Sequence, residues 1–286
     1  MLLRQPDSMR VVTWNLWWRF GPWRERLEAI AGVLAEIDPD LCGLQEVWAD
    51  DDGNEAVVLA ERLGMYVSWL PSPAPERWQR RLGDPTVTIG NAVLSRWPIV
   101  NRRHIHLPAG TEANEGRTAM LAELASPYGR VSMYNTQLNS APSHSAVRVE
   151  QVAALAEFIG GTVADAFPIA LTGDFNALPD SDEVRLMEGH LTAPAVPGLL
   201  LIDTWRYATP GDQGLTWNRR NPHVAATFEP SARIDYVFIG PPGPDGQGHV
   251  DSVALVGDQS RHGIWPSDHA GVVVDLRARR RRPAAC

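Results

Sequence analysis

The chain has 286 residues, 44% of them hydrophobic and 11 of them Trp, enough to bury a substantial core. Its formal charge of −8, with no Lys and 26 Arg, argues against a generally basic surface made for long duplex DNA. No apolar run approaches the ~18 residues of a membrane span, and the opening MLLRQPDSMRVVTWN lacks the apolar centre of a secretory signal, so a cytoplasmic protein is expected. MRVVTWNLWW (9–18) reads as the first strand. RERLEAIAGVLAEI (24–37) has helical spacing, with Leu27, Ile30, Val33, Leu34 and Ile37 on one face, and Asp38-Pro39 stops it. LCGLQEV (41–47) is a second strand, and NEAVVLAERLG (54–64) is a helix closed by Gly64. Strands follow over 66–70, 87–95, 98–107, 117–124 and 129–138. SAVRVEQVAALAEFIG (145–160) is a long amphipathic helix, with Ser143 or Ser145 as its cap. PIALTGDF (168–175) is a strand, 180–188 a short helix, and 232–240 and 271–276 are late strands.

Residues 71–86 and 207–231, rich in Pro, Gly or Arg, read as surface loops of the kind that carry function rather than as domain boundaries. Strands outnumber helices, and the helices are too widely spaced for a regular βαβ array. Two packed sheets with helices outside, in a single domain over residues 10–277, are therefore expected. Residues 278–286 form an Arg-rich, flexible tail, either a solvated end or an arm that touches phosphates. Cys42 and Cys286 have no partners at zinc-ligand spacing, and no disulfide between them is expected.

Five apolar segments share one feature: each carries a polar head group at or near a strand end. Asn15 ends VVTWN, Glu46 ends LCGLQE, and Asp174 and Asn176 end IALTGDFN. Asp235 interrupts RIDYVFI, and Asp268 with His269 precedes GVVVDL. A single such residue is usually a solvated loop residue or a cap, but five of them change the odds. A carboxylate there is costly to desolvate unless it is paired, hydrogen-bonded or bound to metal. Hard oxygen donors with one imidazole suit Mg²⁺ or Mn²⁺ rather than softer ions, and Mg²⁺ commonly bridges carboxylates to phosphate oxygens. The residues alone thus point to a divalent-metal site acting on a phosphate.

TWN, LQEV, GDFNALPDS, RIDYVFI and SDHAGV, in that order, resemble the endonuclease/exonuclease/phosphatase superfamily of DNase I-like nucleases, AP endonucleases, sphingomyelinases, inositol-phosphate 5-phosphatases and deadenylases. The resemblance runs from Val11 to Leu276, and GNAVLSRWPI is similar to the family's mid-chain strand pair. It implies a four-layer α/β/β/α sandwich, two mixed sheets flanked by helices. It also implies roles. Glu46 resembles the principal metal ligand, Asn15 the Asn that supports the metal or phosphate, and Asp268 a second metal-side or water-side carboxylate. Asp174 is similar to the residue that orients and deprotonates the attacking water, and Asn176 to the neighbour that holds the water or a phosphate oxygen. His269 resembles the His that hydrogen-bonds the scissile phosphate, and Asp235 its buried partner. The implied cofactor is Mg²⁺, with Mn²⁺ as the alternative.

Two departures bear on substrate. Many relatives carry His in the strand that reads VSMYNTQLNS; here that residue is Gln137, which donates a hydrogen bond but no proton. A proton for the leaving group would then come from a metal-bound water or another residue; His144 is one candidate, or a solvent-facing residue at a helix start. AP endonucleases place an acid two residues after the first Asn, where this chain has Trp17. Arg117 and Asn91 are candidate substrate contacts, against a salt bridge and a satisfied core amide. Trp14, Trp17, Trp18 and Trp23 are core or rim, with base stacking as the alternative for one or two. Arg77, Trp78, Arg80, Arg81, Arg219 and Arg220 lie on loops that face substrate or solvent. The expected activity is metal-dependent hydrolysis of phosphate esters, first as a nuclease on DNA or RNA. The second reading is a phosphatase or phosphodiesterase of a small, inositol or lipid-derived phosphate, and the third an inactive binding scaffold.

Overall fold

The computed structural model of the chain describes residues 7–162 and 167–279. Two βαβ units organise it. Strand β1 (Ser8–Asn15) and strand β2 (Leu41–Ala49) run parallel and are joined by helix α1 (Trp23–Ile37). Helix α2 (Glu55–Leu63) starts on the Asn54 side chain, which accepts from Ala56 N and Val57 N, and stops at Gly64 with φ 65°. Strand β3 (Tyr66–Pro71), helix α3 (Glu76–Leu82), strand β4 (Thr88–Ser95), strand β5 (Ile99–His106) and strand β6 (Thr118–Ser126) follow. Strand β7 (Gly129–Gln137) and strand β8 (Ala170–Asp174) form the second parallel pair, joined by helix α4 (Ser145–Gly160). Parallel neighbours need such a crossover, because a tight turn can only reverse the chain. The remainder is helix α5 (Asp182–Glu188), strand β9 (Ile202–Asp203), helix α6 (Pro222–Ala225), strand β10 (Asp235–Ile239), strand β11 (Val250–Val256) and strand β12 (Gly271–Arg277).

One sheet has the order β11-β12-β1-β2-β4-β3 and the other β5-β6-β7-β8-β10-β9. The sheets pack face to face, with β1 across β8 and β10. Apolar side chains fill three layers. Val12, Ile30, Leu34 and Leu59 lie between the first sheet and α1 and α2. Met9, Val11, Met133 and Val274 lie between the sheets. Tyr134, Leu155, Leu171 and Phe238 lie between the second sheet and α4 and α5. Two mixed sheets flanked by helices make the expected four-layer sandwich.

The sheets come closest at Gly43, where a Cβ would stand 2.0 Å from Thr172 Oγ1 and 2.9 Å from Asn135 Oδ1. A polar group fills this contact. Gln45 Nε2 donates to Asn135 Oδ1 at 2.7 Å, and Asn135 Nδ2 donates to the carbonyls of Leu44 and Ala92, both at 2.9 Å. At one rim of the second sheet, β5 pairs only with β6 and leaves Arg102, Arg103, His104 and His106 exposed.

Several local expectations change. The first strand stops at Asn15 because Trp17 (φ 58°) and Trp18 (φ 40°) take left-handed backbone. The 71–86 stretch holds α3, tied down by Trp78 against Trp18 and Phe20. Neither Ser143 nor Ser145 caps α4. A turn from His144 N to Ala141 O puts His144 at the cap, and the Arg148 guanidinium donates to the carbonyls of Asn139 and Ala141 instead. Strand β11 was not expected; its half-exposed rim residues give no clear alternation. Cys42 is buried and free, its thiol pushed up by burial. At the start of the expected tail, Ala278 is buried and its N–H donates to Asp7 O at 2.7 Å. Residues 1–6 and 280–286, with Cys286, lie outside the described residues. No helix among the described residues is long and apolar enough to cross a membrane.

Candidate active site

The topology gathers the polar residues at one edge of the sandwich. Asn15, Gln137 and Asp174 are the last residues of strands in the two parallel pairs. Strands β10 and β12 run antiparallel to their neighbours, so they begin where those strands end. Asp235 opens β10, and Asp268 and His269 immediately precede β12. Glu46 lies within β2, in the register shift between Leu44 and Val47, with φ 52°. A bulge of this kind re-aims a side chain that regular pleating would send elsewhere.

Asp174 is the hub. Its Oδ2 accepts from Asn15 Nδ2 at 3.0 Å and from Gln137 Nε2 at 3.1 Å, and its Oδ1 accepts from Asn176 N at 3.0 Å. Gln137 Nε2 also donates to Glu46 Oε1 at 2.8 Å. Backbone and guanidinium donors fix which way the two amides face. Asn15 Oδ1 accepts from Trp17 N at 2.9 Å, and Gln137 Oε1 accepts from Arg117. Arg117 is held in turn by Glu115, whose Oε1 also meets the Arg77 guanidinium at 2.6 Å. Asn176, in left-handed backbone at φ 48°, donates its Nδ2 to Leu138 O at 3.2 Å.

His269 forms the opposite wall. Its Nδ1 bonds Asp235 Oδ2 at 2.8 Å, which leaves Nε2 as the other ring nitrogen. Burial alone would lower the imidazole. The charge and hydrogen bond of Asp235, with Asp174 and Asp268 behind them, outweigh it and hold His269 well above the usual histidine range. Burial pushes Asp174 up, helped by the Asp235 charge and opposed by His269, Asn15 and Arg117. Burial pushes Asp268 up to about 7, with His269 acting against it and Glu46 adding to it. The carboxylates share a water-poor edge where each disfavours the charge of the next.

All but one of the supporting residues came from stretches without periodicity. The Trp217 ring packs edge-on to His269 with centroids 5.0 Å apart, and Thr216 Oγ1 accepts from Asp235 N at 3.3 Å. Ser267 Oγ donates to Asn15 O at 2.7 Å, and Asn221 Nδ2 donates to Ser267 O at 2.8 Å. Arg26 is 1% exposed. Its five N–H groups donate to the carbonyls of Leu16, Trp17, Trp18, Phe20 and Pro266, tying the turn after Asn15 to the segment before Asp268. Its position on the face shared with Ile30, Val33 and Ile37 was the available signal.

Other expected residues lie further out. Asn91 donates to Thr118 at 3.3 Å and adjoins Gln137 only across a narrow cleft. Asn139 and His144 Nδ1 are paired at 3.3 Å beside the start of α4. Trp14 and Trp18 are core, with Trp14 Nε1 donating to His269 O at 3.0 Å. Trp23 packs on Trp48. Trp17 stands at the rim against His223, with rings 4.4 Å apart. Arg80, Arg81, Arg219 and Arg220 are exposed. Arg220 and Trp265 line a cavity of about 310 Å³ beside Asp268.

The donor set suits a hard divalent cation. Among the described residues, one group of three, Asp174, Asp235 and His269, has ligand atoms within 4.8 Å of one another. Asp235 Oδ1 is buried without a partner, and Glu46 and Asp268 are further buried oxygen donors at the same edge.

A family model described as the Endonuclease/Exonuclease/phosphatase family matches residues 12–269. The chain belongs to this family. It is 26% identical over 196 residues to the inositol phosphosphingolipids phospholipase C of Schizosaccharomyces pombe (strain 972 / ATCC 24843), covering 63% of this chain and 43% of that protein. The chain thus spans less than half the length of that curated relative. It resembles D. rerio TDP2 complexed with single-strand DNA product, at a TM-score of 0.72 and 18% identity over 94% of this chain and 99% of that one. It also resembles the endonuclease/exonuclease/phosphatase of Beutenbergia cavernae DSM 12333, with a TM-score of 0.67 and 25% identity over 96% and 72% of the two chains.

Proposed function

We propose that this protein is a Mg²⁺-dependent phosphodiesterase that hydrolyses nucleic acid by in-line attack of water. The observation that carries the reading is the meeting of Asp174, Gln137 and Glu46 with the Asp235–His269 pair at one edge. Asp174 orients a water and accepts its proton, held for this by Asn15, Gln137 and Asn176 N. Asn176 holds the same water or a phosphate oxygen. His269, kept protonated by Asp235, donates from Nε2 to a non-bridging oxygen. Glu46 and Asp268, supported by Asn15, would hold the cation, and Mg²⁺, or Mn²⁺ in its place, would supply charge neutralisation at the phosphoryl group. Gln137, Asn91 and Arg117 line the substrate side. The aromatic and Arg rim of Trp17, His223, Arg219 and Arg220 suits stacked bases and phosphates, and the TDP2 neighbour was solved with a single-strand DNA product.

The second reading, a small, inositol or lipid-derived phosphate, is favoured by the phospholipase C relative and by the net charge of −8. Rates on single-stranded DNA, RNA, plasmid, inositol phosphates and bis-p-nitrophenyl phosphate with Mg²⁺ separate the two. Cleavage of polymer with a steep salt dependence supports the first, and cleavage of small esters alone the second. Asp174→Ala and His269→Ala are each expected to lower kcat at least about 10²-fold with the fold retained by circular dichroism. Excess EDTA is expected to stop turnover. Unchanged rates in both variants, or full activity in chelator, would remove the mechanism.

A further inference from the structure

The side chain between the water-activating and cation-holding carboxylates is an amide with no proton to give. Gln137 Nε2 stands 3.1 Å from Asp174 Oδ2 and 2.8 Å from Glu46 Oε1, bridging them with its two N–H groups. The amide cannot turn over, because its Oε1 accepts from Arg117. Arg117 is itself fixed by Glu115, with Nη2 to Oε2 at 2.7 Å and Nε to Oε2 at 3.1 Å. A flipped Gln137 would point its NH₂ at a guanidinium and its oxygen at two carboxylates. Nor does this chain of groups relay protons, since a guanidinium stays protonated throughout the working pH range. The imidazole nearest in sequence, His144, lies beside Asn139 at the start of α4. In the reading above, His269 is committed to the non-bridging oxygen and Glu46 and Asp268 to the cation.

We propose that Gln137, locked by Arg117, is a specificity-determining residue: it leaves the departing oxygen without a side-chain proton donor, so the protein favours phosphate esters whose leaving oxygen is stable as an anion, aryl or phosphoryl ahead of alkyl. This rests on the phosphoesterase reading and not on nucleic acid as the substrate, since a strand leaves on an alkyl oxygen, the slower class here. In the step it describes, the water oxygen bonds to phosphorus and one water proton passes to Asp174. The phosphorus–oxygen bond to the leaving group breaks, and its electron pair departs on that oxygen, unprotonated. The rate then follows the acidity of the leaving group, because no proton transfer offsets the charge that builds there.

The test is kcat/KM with Mg²⁺ for the wild type and Gln137→His on a series of methyl aryl phosphates with progressively less acidic phenols, closed by a dialkyl member. The wild-type rate is expected to fall steadily along the series. Gln137→His is expected to flatten the fall, gaining at least about 10²-fold at the least acidic end relative to the most acidic. A structural role alone would shift every member by one factor, and that result overturns the proposal. So does a wild type whose rates are level across the series. Should Gln137→His not fold, the leaving-oxygen ¹⁸O isotope effect of the wild type decides. A large effect means departure as an anion, and one near unity means a proton is supplied and the proposal fails. A protein that hydrolyses no member overturns the phosphoesterase reading and this inference with it.

Discussion

Two charged side chains set much of the site's geometry through the groups they hold. Arg26 carries a permanent charge beneath Glu46 and Asp268, yet its five donors all meet backbone carbonyls. Arg26→Met is expected to cost at least ~2 kcal/mol in urea unfolding, because several buried carbonyls lose their partner. It is also expected to reduce kcat more than KM, because the turn after Asn15 and the segment before Asp268 are no longer tied together. Glu115 responds to pH. Burial raises its carboxyl, but the Arg117 charge, the Ser140 N–H and Arg77 outweigh it and bring the group down to about 2 from 4.5. A depressed acid stabilises the fold above its unfolded pKa, and that contribution is lost as pH falls through the folded value. The stability gap between wild type and Glu115→Gln, measured by unfolding at several pH values, is therefore expected to be about 3 kcal/mol near pH 6 and to vanish towards pH 2. A gap independent of pH would show that Glu115 acts by shape alone. Glu46, Asp174, Asp235 and His269 were legible in the sequence, because a polar head group ending an apolar run is conspicuous. Arg26 was not, since a single Arg on a helix reads as solvent-facing. Nor were Thr216 and Trp217, which come from a loop whose residues are placed only by the strands around it.

At the scale of elements, the two parallel pairs explain the site. Each pair ends at the same edge, and each antiparallel neighbour begins there, so residues 159 positions apart, as Asn15 and Asp174 are, meet within hydrogen-bond reach. The strands themselves were readable from alternation and their number. Their pairing was not, because parallel order depends on where the crossover helices return. Helix α3 was hidden by its Pro and Arg content, and β11 by its half-exposed rim position. The close approach at Gly43 holds the two units in register. Gly43→Ala puts a methyl against Thr172 Oγ1, so a sheet must shift, at an expected cost of about 1–3 kcal/mol. Because the shift separates the sheet carrying Glu46 from the one carrying Asp174, activity should fall more than stability does. Chemical denaturation alongside rate measurements on the same samples would reveal whether the two losses part company.

Over the whole molecule, a net charge of −8 coexists with Arg-lined openings around an acidic cleft. Two packed sheets with helices outside followed from counting strands against helices, and the four layers from the family resemblance. The surface could not be read the same way, because which loops reach the cleft depends on the folded arrangement. The exposed Arg102–His106 stretch on β5 has a consequence for solubility. The free edge of a strand offers a row of amide and carbonyl groups on which another chain can build, and natural sheets discourage this with charge. The two guanidiniums on that rim repel a second copy approaching edge to edge. Replacing Arg102 and Arg103 together with Val is expected to leave the unfolding midpoint nearly unchanged while raising light scattering of concentrated samples, as molecules begin to add to one another strand by strand.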